Sequence, residues 1–212
     1  MCGICGFTGA VEGAEDLATL KAMCDVMAHR GPDGEGQYIA DGIALGHRRL
    51  SLIDLEGGNQ PMVRATGEFQ STITSPAVVF DHRRGEAAQV AQPAAGDTAS
   101  FERGKWSIVY NGEIYNYREI RDELMALGYG FSTDSDTEVL LVGFIAWGDG
   151  VLDRLRGMFA FAIFDAEKGE LFCARDFFGI KPLYYTFQPI AGEDGNGIKE
   201  NNGIAFNPGR GR

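Results

Sequence analysis

One run of residues constrains the fold of this chain more than any other. Met158-Phe159-Ala160-Phe161-Ala162-Ile163-Phe164-Asp165 is strongly apolar, and after Glu167-Lys168-Gly169 the chain returns through Glu170 to Arg175. Two such runs around a Gly-containing turn predict a β-hairpin. A second hairpin signal stands earlier, where Tyr38-Ile39 and Ile43-Ala44-Leu45 flank Asp41-Gly42. An opening strand covers about Gly3 to Val11, and Trp106 to Tyr110 is a strand that ends in the turn dipeptide Asn111-Gly112. Leu183-Tyr184-Tyr185 is expected as a further strand, with Ile204-Ala205-Phe206 as its returning partner. Between the strands lie helices. Residues 14–28 carry Leu17, Leu20, Cys24 and Met27 at three- and four-residue spacing, a core-packing stripe. Asn116 caps a helix running to Leu127, stopped by Gly128. Ser135 caps another from Asp136 to Trp147, with Glu138 completing a capping box. A short helix near Val151–Leu155 follows. Strands arrive in hairpins around a pair of helices, not in βαβ alternation, which predicts an α+β fold of antiparallel sheets with helices on their faces.

The totals narrow the function. A chain of 212 residues makes one large or two small domains. Its 30 glycines are about twice the usual share of ~7% and imply many turns and short strands. A net charge of −11 argues against nucleic acid or an anionic membrane as the main partner. There is no apolar run of the ~18 residues that a membrane span needs, and no signal-peptide pattern. Four scattered cysteines suit a cytoplasmic protein with reduced thiols. Residues 64–105 turn Ala/Gly/Ser/Thr-rich and are expected to be a partly disordered insertion, a surface loop with Thr72 to Phe80 as an edge strand. The tail 207–212 has nothing to bury.

Chemistry begins at the N-terminus, Met1-Cys2-Gly3-Ile4-Cys5-Gly6-Phe7. A small second residue permits removal of Met1, which would leave Cys2 with a free α-amine. That amine titrates near ~7.7–8 and can act as a base beside its own thiol. Cys2 and Cys5 also form a CxxC, a redox signature that normally follows a strand and opens a helix. Zinc would need two further ligands at motif spacing, whereas Cys24, Cys173, His29, His47 and His82 are scattered. No metal site is expected.

Seven segments then occur in one order: MCGICGF (1–7), HRGPDGEG (29–36), LGHRRLSLIDLEGGNQPM (45–62), VYNGEIYNYREIRDEL (109–124), SDTEVLL (135–141), LRGMFAFAIFD (155–165) and ARDFFGIKPLYY (174–185). In these the chain resembles the glutamine-hydrolysing domain of class II glutamine amidotransferases, and specifically the N-terminal half of glutamine-dependent asparagine synthetase. The resemblance implies an N-terminal-nucleophile hydrolase fold, an αββα sandwich of two antiparallel sheets flanked by helices, spanning residues 1–206.

It also implies roles. Cys2 is the nucleophile, forming a γ-glutamyl thioester. The side chain of Asn111 and the backbone N–H of Gly112 hold the oxyanion, where one donor typically contributes ~10²–10³ in rate. Arg49 takes the glutamine α-carboxylate, although spacing alone does not separate it from Arg48. Asp136 takes the α-ammonium, with Glu113 as second carboxylate and the backbone about Leu50, Leu52 and Ile53 completing the pocket. Hydrolysis requires no cofactor. ATP and Mg belong to a synthetase domain, whose Ser-Gly-Gly-Leu-Asp-Ser type of loop does not occur here, so this polypeptide is not expected to make asparagine. The expected partners are glutamine and that separate domain, with a homodimer left open. Phe177 stands where the family usually has Arg. The rival class is an inactive glutamine-binding or docking module.

Overall fold

The hairpins assemble into two sheets. The structure, a computed structural model, describes residues 1–9, 11, 14–40, 42–51, 54–55, 57–64, 79–81, 86–88, 106–186 and 204–206. The first sheet contains β1 (Gly3–Thr8), β2 (Gly34–Ala40), β3 (Ile43–Arg49), β5 (Val79–Asp81) and β6 (Glu86–Ala88), in the order β1-β3-β2-β5-β6. The second contains β4 (Met62–Arg64), β7 (Trp106–Ile114), β8 (Gly157–Asp165), β9 (Glu170–Arg175) and β10 (Ile204–Phe206), in the order β10-β9-β8-β7-β4. The helices are α1 (Ala14–Val26), α2 (Tyr117–Ala126) and α3 (Asp136–Trp147).

Period-two alternation along the strands sorts residues into layers. On β3, Ile43 and Leu45 face the second sheet and pack with Val63, Val109, Ala162 and Phe164. The intervening Ala44 faces the other way and packs with Leu20 of α1 and Val11. On β7 and β8, Ile108, Tyr110, Phe161 and Ile163 turn outward under α2 and α3, meeting Ile120, Leu124, Val139 and Leu140. The layers therefore run α1, first sheet, second sheet, α2 with α3, which is the expected αββα sandwich. Phe161 and Leu140 are fully buried, and each such side chain contributes about 1.5–3 kcal/mol of burial.

Several local expectations are corrected. The opening strand stops at Thr8, because Gly9 turns the chain with φ +142° and donates to Gly42 O. Leu17 is 45% exposed, so the buried face of α1 narrows to Leu20 and Cys24. Asn111-Gly112 is no turn: β7 runs straight through it, paired residue for residue with β8 from Trp106 to Ile114. Asn116 makes no side-chain cap; its amide instead bonds Arg154 O and Arg156 N, tying the start of α2 to the segment before β8. The short helix is a 3₁₀ turn at Gly148–Asp153. Residues Leu183–Tyr185 form no strand, and Tyr184 is 91% exposed. The free edge of β9 is taken instead by β10, which pairs with it in parallel. Of the 64–105 insertion only Arg64, β5 and β6 are described; β5 lies on the edge of β2 and overlaps the end of the expected edge strand, whose remainder lies outside the described residues, as does the tail.

Candidate active site

Cys2 sits just before β1, at the end of the first sheet. Its Sγ accepts from Leu50 N at 3.4 Å and lies 3.6 Å from Leu50 O, while Arg30 Nε donates to Cys2 O at 3.2 Å. Cys2 is thus held between the end of β3 and the turn that follows α1. Strand parity separates it from Cys5. Residues three apart on a strand point to opposite faces, and the Cys5 thiol meets Cys24 of α1, on the far side of the sheet from Leu50.

Parity also separates the two arginines. Arg48 turns toward α1 and forms a buried ion pair with Glu35. Arg49 turns the other way, and its guanidinium donates to Asp54 O (2.5 Å), Asn59 Oδ1 (2.9 Å) and Leu55 O (3.1 Å). The loop that wraps it is braced by Asp54, a non-glycine residue at φ +46°, whose carboxylate accepts from Gly57 N and Asp134 N. Burial lowers the affinity of Arg49 for its proton, opposed by the nearby Cys2, Asp54 and Asp33.

The second sheet contributes the facing wall. β4 pairs with β7 only as far as Ile108, which leaves the next stretch of that β7 edge without a strand partner among the described residues. Side chains fill the gap: Tyr110 N donates to Gln60 Oε1 (2.6 Å) and Ile114 N to Asp136 Oδ2 (3.2 Å). Amides of alternate residues leave a strand on the same side, so Gly112 N–H, midway between them, points out over the same edge. A Cβ on Gly112 would lie 2.3 Å from Met158 O and 2.7 Å from Tyr110 Cε2, so close approach demands glycine there. Asp136, the first residue of α3, is buried and also accepts from Tyr110 Oη at 2.8 Å. Burial pushes its carboxyl up from the ordinary range, against hydrogen bonds from Tyr110, Ile114 and Thr137.

These walls line one cleft, with Met1 among its lining residues. Cys2, Arg49 and Leu50 line it from one sheet, and Asn111, Gly112, Glu113 and Asp136 from the other side. Leu52 and Ile53 lie outside the described residues. Sequence reasoning missed Tyr110, Gln60, Met158 and Lys181, which also line the cleft. Lys181 stood inside the quoted FGIKP run without a role. Tyr110 and Gln60 likewise stood inside quoted runs without a role, because their contacts join residues far apart in the chain. The expected capping box is only half made: Ser135 Oγ accepts from Thr137 N, but Glu138 turns back to Ser132 N, Thr133 N and Arg64. Among the described residues, no group of three or more His, Cys, Asp or Glu could hold a metal ion, and no helix is long and apolar enough to cross a membrane.

Known proteins are similar to this chain. Glutamine-hydrolyzing asparagine synthetase 1 of Bacillus subtilis is 38% identical over 189 residues, covering 86% of this chain and 24% of that protein. Glutamine-hydrolyzing asparagine synthetase B of Escherichia coli is 34% identical over 191 residues, covering 88% and 27%. The chain thus spans about a quarter of the length of these curated relatives. Among solved structures, an allosteric regulatory enzyme of purine biosynthesis superposes with a TM-score of 0.57 at 19% identity, covering 84% of this chain and 38% of that one. The glutamine phosphoribosylpyrophosphate amidotransferase of B. subtilis gives 0.51 at 17%, covering 82% and 37%. The shared fold is that of the N-terminal-nucleophile hydrolases. The family profile of the glutamine amidotransferase domain matches residues 1–84 and 69–196. With that match over most of its length, the chain belongs to the glutamine amidotransferase domain family.

Proposed function

We propose that this domain hydrolyses glutamine to glutamate and ammonia through a γ-glutamyl thioester on Cys2, as the ammonia-supplying half of a cytoplasmic, glutamine-dependent asparagine synthetase. The observation that carries the reading is convergence: a thiol, a fixed guanidinium, buried carboxylate and an outward strand amide meet in one cleft. Removal of Met1 frees the Cys2 amine, which takes the thiol proton. Sulfur attacks the side-chain carbonyl of glutamine, and the oxyanion is met by Asn111 and Gly112 N–H. The amine returns the proton to nitrogen, ammonia leaves, and water cleaves the thioester to glutamate. Arg49 holds the α-carboxylate in a planar fork, while Asp136 and Glu113 face the α-ammonium. Leu50 backbone flanks the sulfur. Hydrolysis needs no cofactor. The domain comprises residues 1–206, with 64–105 as an insertion, and its ammonia passes to a synthetase domain that uses ATP and Mg.

The test is glutamate release from glutamine by the purified protein, beside Cys2→Ala, with the intact mass reporting whether Met1 has been removed. Release by the processed protein that vanishes in the variant supports the reading. A processed protein that binds glutamine but releases no glutamate would instead be the inactive glutamine-binding module.

A further inference from the structure

On the outer face of the first sheet, away from the cleft, two thiols meet. Cys5 Sγ of β1 lies 3.8 Å from Cys24 Sγ of α1. Both sulfurs sit over Gly46 of β3: a Cβ there would lie 2.6 Å from Cys24 Sγ and 2.8 Å from Cys5 Sγ. The space that holds two sulfurs exists because position 46 carries no side chain. Their exposure differs in a useful way. Cys24 is fully buried, whereas Cys5 is partly exposed. Lys21, Glu35 and Arg48 surround the pair with charge of both signs. The cleft chemistry uses neither thiol.

We propose that Cys5 and Cys24 are a dithiol oxidation site, closed to a disulfide by a two-electron oxidant of the peroxide class. The Cys5 sulfur attacks one peroxide oxygen; the O–O bond breaks, and the departing hydroxide leaves as water with the thiol proton. Cys5 is then a sulfenic acid. The Cys24 sulfur attacks the Cys5 sulfur, an S–S bond forms, and the sulfenic hydroxyl leaves as water with the Cys24 proton. Two thiols and one peroxide give one disulfide and two waters. An S–S bond is about 2.05 Å long, so the sulfurs close less than ~2 Å, over a glycine that leaves them room to turn.

The bridge fastens β1 to the segment of α1 just before the turn that steadies the nucleophile. In that turn the Met27 side chain packs against Gly3, and Arg30 Nε donates to Cys2 O. Oxidation therefore locks the strand that bears Cys2 to the residues that position it. It also closes a loop from residue 5 to 24, which restricts the unfolded chain and raises Tm by roughly 5–10 °C.

The experiment treats the reduced protein with equimolar hydrogen peroxide. The expected result is a mass loss of two hydrogens, a peptide map joining Cys5 to Cys24, and a raised Tm, all reversed by dithiothreitol. Cys5→Ser and Cys24→Ser abolish the link and the Tm shift, whereas Cys2→Ala and Cys173→Ser keep both. Peroxide that yields only oxygenated Cys5, or a link made through Cys2, overturns the proposal. Because the map is read on the unmutated protein, a variant that fails to fold leaves the test intact, and no outcome depends on glutamine hydrolysis.

Discussion

Arg48 and Arg49 are neighbours with opposite surroundings, and the difference is measurable. Arg49 faces the cleft with its fork held by Asp54 O, Leu55 O and Asn59 Oδ1. Arg49→Lys keeps the charge but loses the planar fork, so KM for glutamine should rise tenfold or more, about 1.4 kcal/mol, with kcat much less affected. Arg48→Lys should leave KM unchanged and lower stability, since its partner Glu35 is buried on the other face; steady-state kinetics beside urea unfolding separates the two. Tyr110→Phe removes the hydroxyl that donates to Asp136 at 2.8 Å. It should raise KM about tenfold or more, because a hydrogen bond to a charged group is worth ~1.5 kcal/mol or more.

At the scale of elements, the start of α3 is set by Glu138, which is 1% exposed. Its carboxylate accepts from Ser132 N, Thr133 N and Thr133 Oγ1 and pairs with Arg64, binding the loop before the helix to β4. Removing one partner of a buried pair is strongly destabilising. Arg64 is partly exposed, so Glu138→Ala should fall at the low end, about 3 kcal/mol in chemical denaturation. The same variant loosens the first turn of α3 and hence Asp136. Sequence spacing located the ends of α3 and identified Ser135 as its cap. It did not foresee that Glu138 would serve the preceding loop, because those partners are fixed by how the loop folds back.

Across the whole molecule, His47 ties the sheets together. Its Nε2–H donates to Tyr110 O at 3.2 Å, and its Nδ1 is buried with no hydrogen-bond partner among the described residues. Burial pushes its pKa down to about 3, opposed by the Tyr110 bond and reinforced by Arg49. The folded value lies below the ordinary one of about 6.5. An unfolded chain therefore takes up a proton below pH ~6.5 that the folded protein refuses until about 3. Stability is complete above that range and falls as pH drops, by about 1.4 kcal/mol per unit. Urea unfolding between pH 7 and 5 should show this slope, and His47→Gln should flatten it. The buried Asp136, whose carboxyl is raised, acts in the opposite sense at lower pH.

The sequence by itself determined the hairpins β2–β3 and β8–β9, the three helices, and a set of segments ordered enough to state the family. Period-two and period-3.6 patterns are local properties, and motif residues keep their identity whatever surrounds them. Only the tertiary structure decided which face each residue serves. It put Arg49 and Cys2 in the cleft, and it put Arg48 and Cys5 against α1, a choice set by which face of the first sheet meets the helix and which meets the second sheet. It kept Asn111-Gly112 extended, because pairing along β8 outweighs the turn preference of a dipeptide. It also took the free edge of β9 for β10, leaving Leu183–Tyr185 without a strand to join. Each of these was settled by a neighbour far away in the chain, which no local pattern could show.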